Sequence, residues 1–391
     1  MNILFISFDA DPPYMGGVST VVNAIAKGLL QRGHNIYLGY YTPGVHPSLF
    51  FRNKILISYN NIPYIKNFLE NNKIDIIYNA LPLNTDWDII KKCFPTTKIV
   101  SAYHNRPQLN YFPLYSLMNI YYNSKNILYK IYTLLKITLL PIRKIKSQKR
   151  EKTRFFLMAQ NSDRILLLSP QFYPCIKRIV PSISDHKLAA IPNPIVFNNI
   201  LAREKLKDKK NKVLVVASSN HVKRIWIILH IWKEIEKDSQ YNLWSLDMVG
   251  EGEDYIRLLS LAKKLKLKRI TFYGYKDPEP FYQEASIFLM TSKYEGWPMV
   301  LMECMQKGVV PIVYNSFESL TDIITDNING YIIPNNNFHS FVNKLKYLIS
   351  DKTKRNEMAN HGLDRCEQYS LEHIIDKFES LFSEVIHEER N

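Results

Sequence analysis

The stretch Thr291–Gly308, TSKYEGWPMVLMECMQKG, decides how this chain folds. It follows the apolar run Ile287–Met290, which reads as a buried strand, and it places Glu295 and Gly296 in a loop ahead of Pro298. Proline at a first helical position loses nothing, because the N–H it lacks would have no partner there. A helix over Pro298–Gln306 is therefore expected, with its free N–H groups turned toward the loop as an attractor for anions. Glu303 follows roughly 7.5 Å further along the axis, at the rise of about 1.5 Å per helical residue. Two ordinary surface glutamates around a helix cap would show the same spacing. The strand, loop, proline and helix in succession favour a site that holds an extended anion with a carboxylate at either side.

Outward from this block the chain repeats one pattern. Strands are expected at Val213–Ala217, Trp244–Val249, Ile270–Tyr273 and Val309–Val313, with helices at Ile225–Lys237 and Asp254–Leu265 and a helical region from about His339. The first half shows the same alternation: strands Ile3–Phe8, Ile36–Tyr40, Ile74–Tyr78, Ile99–Tyr103 and Ile165–Ser169, and a helix Val18–Arg32 closed by Gly33. Strand, turn, helix and strand in sequence make a βαβ unit and a parallel sheet. The chain is thus expected to be α/β, with two Rossmann-like doubly wound domains facing across a cleft. Residues 1–200 would form the first domain and 201–370 the second, joined through the polar stretch AREKLKDKKNK. Residues 371–391 would form a terminal helix that packs back on the first domain.

Length and composition agree. A chain of 391 residues exceeds the roughly 250–300 at which single cores stop growing, and its 46% apolar content excludes a disordered protein. Cys93, Cys175, Cys304 and Cys366 form no CxxC pair, so neither a zinc site nor a disulfide framework is expected, and a reducing cytoplasmic setting fits. No secretory leader is read at the N-terminus. Residues 1–200 hold 24 Lys and Arg against 9 Asp and Glu, which accounts for the whole formal charge of +15. The excess peaks at 125–154, where ten basic residues face one acid, Glu151, among interleaved leucines and tyrosines. That segment lies within a strand-poor insertion at about 105–160. Two readings of it stand: an amphipathic surface for an anionic membrane, or a solvated basic helix pair. Ile127–Ile142 is too short, and too interrupted by Lys130 and Lys136, to span a bilayer. The basic residues match no nucleic-acid reading motif, so nucleic acid is not an expected partner.

The block EGWPMVLME, with Gly308-Val309-Val310-Pro311 and DIITDNINGYIIP at 322–334, resembles the C-terminal signature of the family-4 glycosyltransferases. PPYMGGVSTVV, SAYHN, IPNPI and VGEGED follow in the family's order, so the resemblance covers both halves. It implies the GT-B fold and retaining transfer of a hexose from a nucleotide sugar, with UDP the expected nucleotide and no metal or other cofactor. Asp9-Ala10-Asp11 has the spacing of a metal-binding acidic pair but abuts the Pro12-Pro13 turn in the wrong domain. A GT-B epimerase or phosphorylase would share the architecture, and a basic nucleic-acid-binding protein is the remaining alternative.

The resemblance also implies roles. Glu295 would take sugar hydroxyls and Glu303 the ribose diol, with Gly296, Trp297, Pro298, Met299 and Val300 lining the donor between them. His104, after a buried strand, would bond the donor hexose. Gly16 and Gly17 would let the backbone approach a phosphate. Lys223 aligns with the family's diphosphate lysine, but Ser218 stands where an arginine is expected, and Arg224 is the substitute cation on offer. Tyr275 would lie near the base; Asn193 and Gly250 are possible contacts, a hinge and a turn residue by default. The abundance of Ile, Lys, Asn and Tyr suits an AT-rich bacterial gene of surface-polysaccharide synthesis. The acceptor expected on that basis is a glycan or an undecaprenyl-diphosphate-linked glycan, at the inner face of the cytoplasmic membrane.

Overall fold

A computed structural model describes residues 1–8, 17–44, 50–109, 121, 126–195, 197 and 199–388. The chain divides into two compact units, one of residues 1–191 with those from Phe378 onward, the other Pro192–Lys377. The division falls at Pro192, ahead of the polar stretch at 202–212. The reason is local: the Ile195 N–H donates to the Tyr369 carbonyl at 2.8 Å and the Leu201 N–H to that of Gln306 at 2.9 Å, which binds IPNPI to the second unit.

In the first unit, strands β1 (Asn2–Ile6), β2 (Asn35–Tyr40), β3 (Asn53–Leu56), β4 (Ile76–Asn79), β5 (Lys98–Tyr103), β6 (Arg164–Leu167) and β7 (Leu188–Ala190) form one parallel sheet in the order β3-β2-β1-β4-β5-β6-β7. Ile3, Leu4, Phe5 and Ile6 are all fully buried, as expected of a strand covered on both faces. The helix Gly17–Gln31 ends where Gly33 takes φ +86°, a conformation that costs glycine little. The edge strands β3 and β7, short and half-buried, carry too little apolar pattern to be read from sequence.

The strand-poor insertion holds two helices, Ile127–Thr138 and Leu140–Asn161. In the first only Thr133 is buried, while Ile127, Leu128, Ile131, Leu134 and Leu135 recur at helical spacing and stand at least half exposed. No helix among the described residues is long and apolar enough to cross a membrane.

The last helix, Leu371–His387, returns to the first unit. Phe378 and Phe382 pack their rings on buried Tyr78 at 5.6 and 6.2 Å, and Glu379 accepts or shares a proton with His34 Nε2 at 2.7 Å. Arg164, almost fully buried, donates to Glu384 and Glu388 at 2.7 Å each. A buried guanidinium without those acids would be an uncompensated charge.

The second unit repeats the plan with β8 (Lys212–Val216), β9 (Ser245–Val249), β10 (Ile270–Phe272), β11 (Ile287–Met290), β12 (Val310–Asn315) and β13 (Tyr331–Pro334), all parallel, in the order β10-β9-β8-β11-β12-β13. Its helices Ile225–Glu236, Phe338–Ser350 and Lys352–Glu367 bury Ile228, Trp232, Leu345 and Met358 against the sheet. The strand order reverses between β8 and β11, and in open parallel sheets ligands bind beyond the carboxyl ends of the strands at that point.

Phe382→Ala should destabilise the first unit by about 3–5 kcal/mol, the usual cost of removing a buried phenyl ring. Urea unfolding followed by tyrosine and tryptophan fluorescence measures it.

Candidate functional site

The reversal point of the second sheet brings together two loops that are distant in sequence, Ala217–Arg224 after β8 and Thr291–Pro298 after β11. They meet in an ion pair: Lys223 Nζ lies 2.6 Å from Glu295 Oε1. Lys223 is held by its own loop, its N–H donating to the Asn220 carbonyl at 3.1 Å. The Thr291 hydroxyl donates to the carbonyl oxygens of Lys223 and Arg224 at 3.1 Å, so the second loop also fixes the first.

Arg224 sits at φ +48°, uncommon for a residue with a side chain, just before the helix Ile225–Glu236. Its guanidinium explains how that conformation is kept. Nε donates to the Thr291 carbonyl at 2.7 Å and Nη2 to that of Ser292 at 2.8 Å; Asn335 and Asn336 side-chain oxygens accept at 2.9 and 2.8 Å. Arg224 thus stitches three loops together, and burial lowers its pKa from the ordinary arginine value. Four oxygens already occupy the cation that the sequence offered in place of the arginine missing at Ser218.

The loop after β9 closes the other side. Gly250 has φ +122°, and a Cβ there would land on the Ala217 carbonyl oxygen; at Gly252, φ +154°, it would lie 2.6 Å from that of Ser219. Only glycine lets these two loops zip together, which they do through Ser219 N–H to Glu251 O and Asp254 N–H to Ser219 O, each 2.8 Å. Tyr275, beyond β10, is largely exposed.

The helix of the deciding block spans Met299–Gln306, with Pro298 as its cap residue in an extended conformation rather than in the first turn. The cap has no side chain to bond the first N–H groups; that of Leu301 donates to the Pro298 carbonyl at 3.0 Å, and those of Met299 and Val300 remain anion-seeking. Gly296 is fixed by the Ser319 hydroxyl, which donates to its carbonyl at 2.6 Å. Trp297 is buried with its ring on Tyr369 at 5.5 Å, and its indole N–H finds no partner among the described residues. Half-buried Met299 and Val300 follow, and Asn193, buried, approaches the Met299 sulfur at 3.5 Å. Glu303 lies in the second turn. Burial pushes its carboxyl up to about 7, partly offset by a hydrogen bond from the Tyr282 hydroxyl at 3.0 Å and reinforced by the charge of Asp277.

Of the remaining expected residues, Gly16, like Asp9 and Asp11, lies outside the described residues. Gly17 opens its helix in space where a Cβ would meet nothing within 4 Å, so no protein contact requires glycine there. His104 follows β5 in the first unit, its Nε2 3.1 Å from the Tyr78 hydroxyl. Among the described residues no group of three or more His, Cys, Asp or Glu could hold a metal ion. Sequence reasoning missed Tyr282, Thr291, Ser319 and the Asn335-Asn336 pair, whose roles come from contacts across the fold and leave no local pattern.

Residues 196–365 match the family described as glycosyl transferases group 1. The amylovoran biosynthesis glycosyltransferase AmsD of Erwinia amylovora is 29% identical over 189 residues, 48% of this chain and 51% of that protein. A Campylobacter jejuni α-1,4-N-acetyl-D-galactosaminyltransferase, named for a diNAcBac-PP-undecaprenol-linked acceptor, is 26% identical over 194 residues, 49% of this chain and 54% of that protein. The chain therefore spans about half the length of the curated relatives it matches. The crystal structure of Anabaena HepE with UDP superposes with a TM-score of 0.71 at 14% identity, covering 98% of this chain and all of that one. The chain has the GT-B fold, and its second half is similar to the glycosyl transferases group 1 family.

Gly250→Ala should cost the second unit about 2–4 kcal/mol, through backbone strain added to the steric conflict with Ala217. A guanidinium titration comparing the variant with wild type reads that loss directly.

Proposed function

We propose that this chain transfers a hexosyl residue, with retention, from a nucleoside-diphosphate sugar to a hydroxyl of a glycan or polyprenyl-diphosphate-linked glycan in surface-polysaccharide synthesis. The observation that carries the reading is the Lys223–Glu295 pair at 2.6 Å, set at the sheet's reversal point beside the helix terminus at Met299. That arrangement supplies one cation and a set of N–H groups for a diphosphate, and a carboxylate next to them for sugar hydroxyls. UDP is the nucleotide favoured, supported by the fold shared with HepE, whose structure contains it. An acceptor on a polyprenyl carrier is supported by the name of the Campylobacter relative.

In this reading Glu295 holds the hexose and Glu303 the ribose diol, with the diphosphate between. As the bond to the anomeric carbon breaks, negative charge grows on the departing diphosphate. Lys223 and the N–H groups of Met299 and Val300 are placed to meet it, and stabilisation of developing charge by fixed donors is commonly the largest single catalytic contribution. The reading assigns that charge to protein groups and calls for no metal ion. Arg224 contributes indirectly by holding Lys223 and the Thr291-Ser292 turn. His104 is assigned to the hexose and Gly16-Gly17 to a phosphate or acceptor; Trp297, Pro298, Tyr275, Asn193 and Gly250 shape the donor's surroundings. The exposed apolar stripe at Ile127–Leu135, beside the basic run to Arg154, supports peripheral docking on an anionic cytoplasmic membrane face.

Glu295→Gln and Glu303→Gln should each lower sugar transfer by about 10²–10³-fold while leaving the unfolding midpoint near wild type. Activity is read as nucleotide release from a panel of UDP-, GDP- and ADP-sugars with membrane extract as acceptor, and wild-type rates in both variants would end the assignment. Separately, the protein should pellet with vesicles rich in anionic lipid at low salt and be released as salt rises, each surface Lys or Arg contributing on the order of 1 kcal/mol. Equal pelleting with neutral vesicles would remove the electrostatic part of the docking.

A further inference from the structure

Glu303 does not stand alone beneath the donor helix. The side chain that meets it, Tyr282, belongs to the short helix Glu279–Glu284 and is fully buried. Its hydroxyl donates to Glu303 Oε2 at 3.0 Å. Its ring is walled by Phe197 and Phe288, both with centroids 6.1 Å away. Its carbonyl accepts from Lys209 Nζ at 2.7 Å. The residue is therefore clamped at both ends, by the Lys209 amine on its backbone and by aromatic packing on its ring. A hydroxyl held in that way has little freedom to leave the carboxylate it serves.

Resting on the donor site proposed above, we propose that Tyr282 is the positioning residue for Glu303. It occupies one acceptor direction of Oε2, fixes the plane of the carboxylate, and leaves Oε1 to the ribose diol. The charged groups around this pair are few. Asp277 bears on Glu303 from the loop after β10, and Cys304 adjoins it on its own helix. Lys209, whose pKa burial lowers to about 7, approaches from the chain entering β8, and Lys307 is engaged by Glu279 at 2.6 Å. Among the described residues no cation offsets the burial of Glu303, so the Tyr282 hydrogen bond is the interaction that favours its ionised form.

The sign of the pH dependence follows. The carboxyl is raised to about 7, so it is ionised and a strong acceptor above that pH and becomes protonated below it. Donor affinity should fall as pH drops through 7. Removing the Tyr282 hydroxyl takes away the contribution that lowers this pKa, so the acid limb must move to higher pH.

The test measures the affinity of whichever of UDP, GDP and ADP binds the full chain tightest, by calorimetry from pH 5.5 to 9, for wild type, Tyr282→Phe and Glu303→Gln. Tyr282→Phe is expected to bind roughly tenfold more weakly at pH 7, with its acid limb displaced upward and the deficit narrowing by pH 9. Glu303→Gln is expected to lose the acid limb altogether. A Tyr282→Phe profile parallel to or superimposed on wild type would overturn the positioning role while leaving the Glu303 assignment intact. Full affinity in Glu303→Gln, or no binding of any of the three nucleotides, would instead overturn the donor site itself. If Tyr282→Phe does not fold, the 2′-deoxynucleotide decides with wild-type protein. An acid limb as steep for it as for the ribonucleotide would overturn the proposal, and a limb lost with the 2′-hydroxyl would support it.

Discussion

The adjacency of β8 and β11 is the constraint from which the second unit's chemistry follows. Parallel strands deliver all their C-terminal loops to one edge, and the reversal of strand order opens space between two of them. Lys223 and Glu295 fill that space from opposite sides and neutralise each other at 2.6 Å. Neither residue could reach the other if the loops were splayed, and Arg224 prevents that. Its unusual backbone conformation is offset by hydrogen bonds to both loops at once. The glycines at 250 and 252 perform the equivalent service on the β9 side, where backbone meets backbone with no room for a side chain.

Much of this architecture was legible in the sequence because it depends on patterns with a period. Continuous apolar runs named nearly every central strand, and the helix after Pro298 was placed within one residue. Among the edge strands β10 was legible, whereas β3 and β7 were not: they are short and half-exposed, with too little apolar pattern to mark them. Within the proposed site, Glu295, Glu303 and Lys223 were candidates because they sit in a compact block or at a set distance after a strand. Tyr282 could not, since its relation to Glu303 is made by two helices packing and by nothing in the local sequence. Arg224 shows a contact set that no local pattern encodes. A cation beside Lys223 reads as a second phosphate ligand, yet only coordinates reveal four oxygens already bound to it.

Charge tells a similar story on a larger scale. The excess of basic residues in the first 200 is not spread over the first unit but concentrated in two helices that bury almost nothing along their first turns. A helix that exposes leucine and isoleucine at regular spacing gains little from the protein it belongs to. Such faces on folded proteins generally mark a partner surface.

The terminal helix has a consequence for how the protein is made. Domains emerging from the ribosome usually fold in order, the first before the second is complete. Here Tyr78 and Arg164 wait for Phe378, Phe382, Glu384 and Glu388, which are translated only after the whole second unit. Until those residues are made the first sheet carries an unsatisfied guanidinium and an uncovered aromatic surface. The second unit, continuous in sequence, is free to finish first. A nascent chain stalled short of Phe378 would thus hold one finished unit and one that is still open, which makes the stretch from Phe378 the piece that closes the first unit.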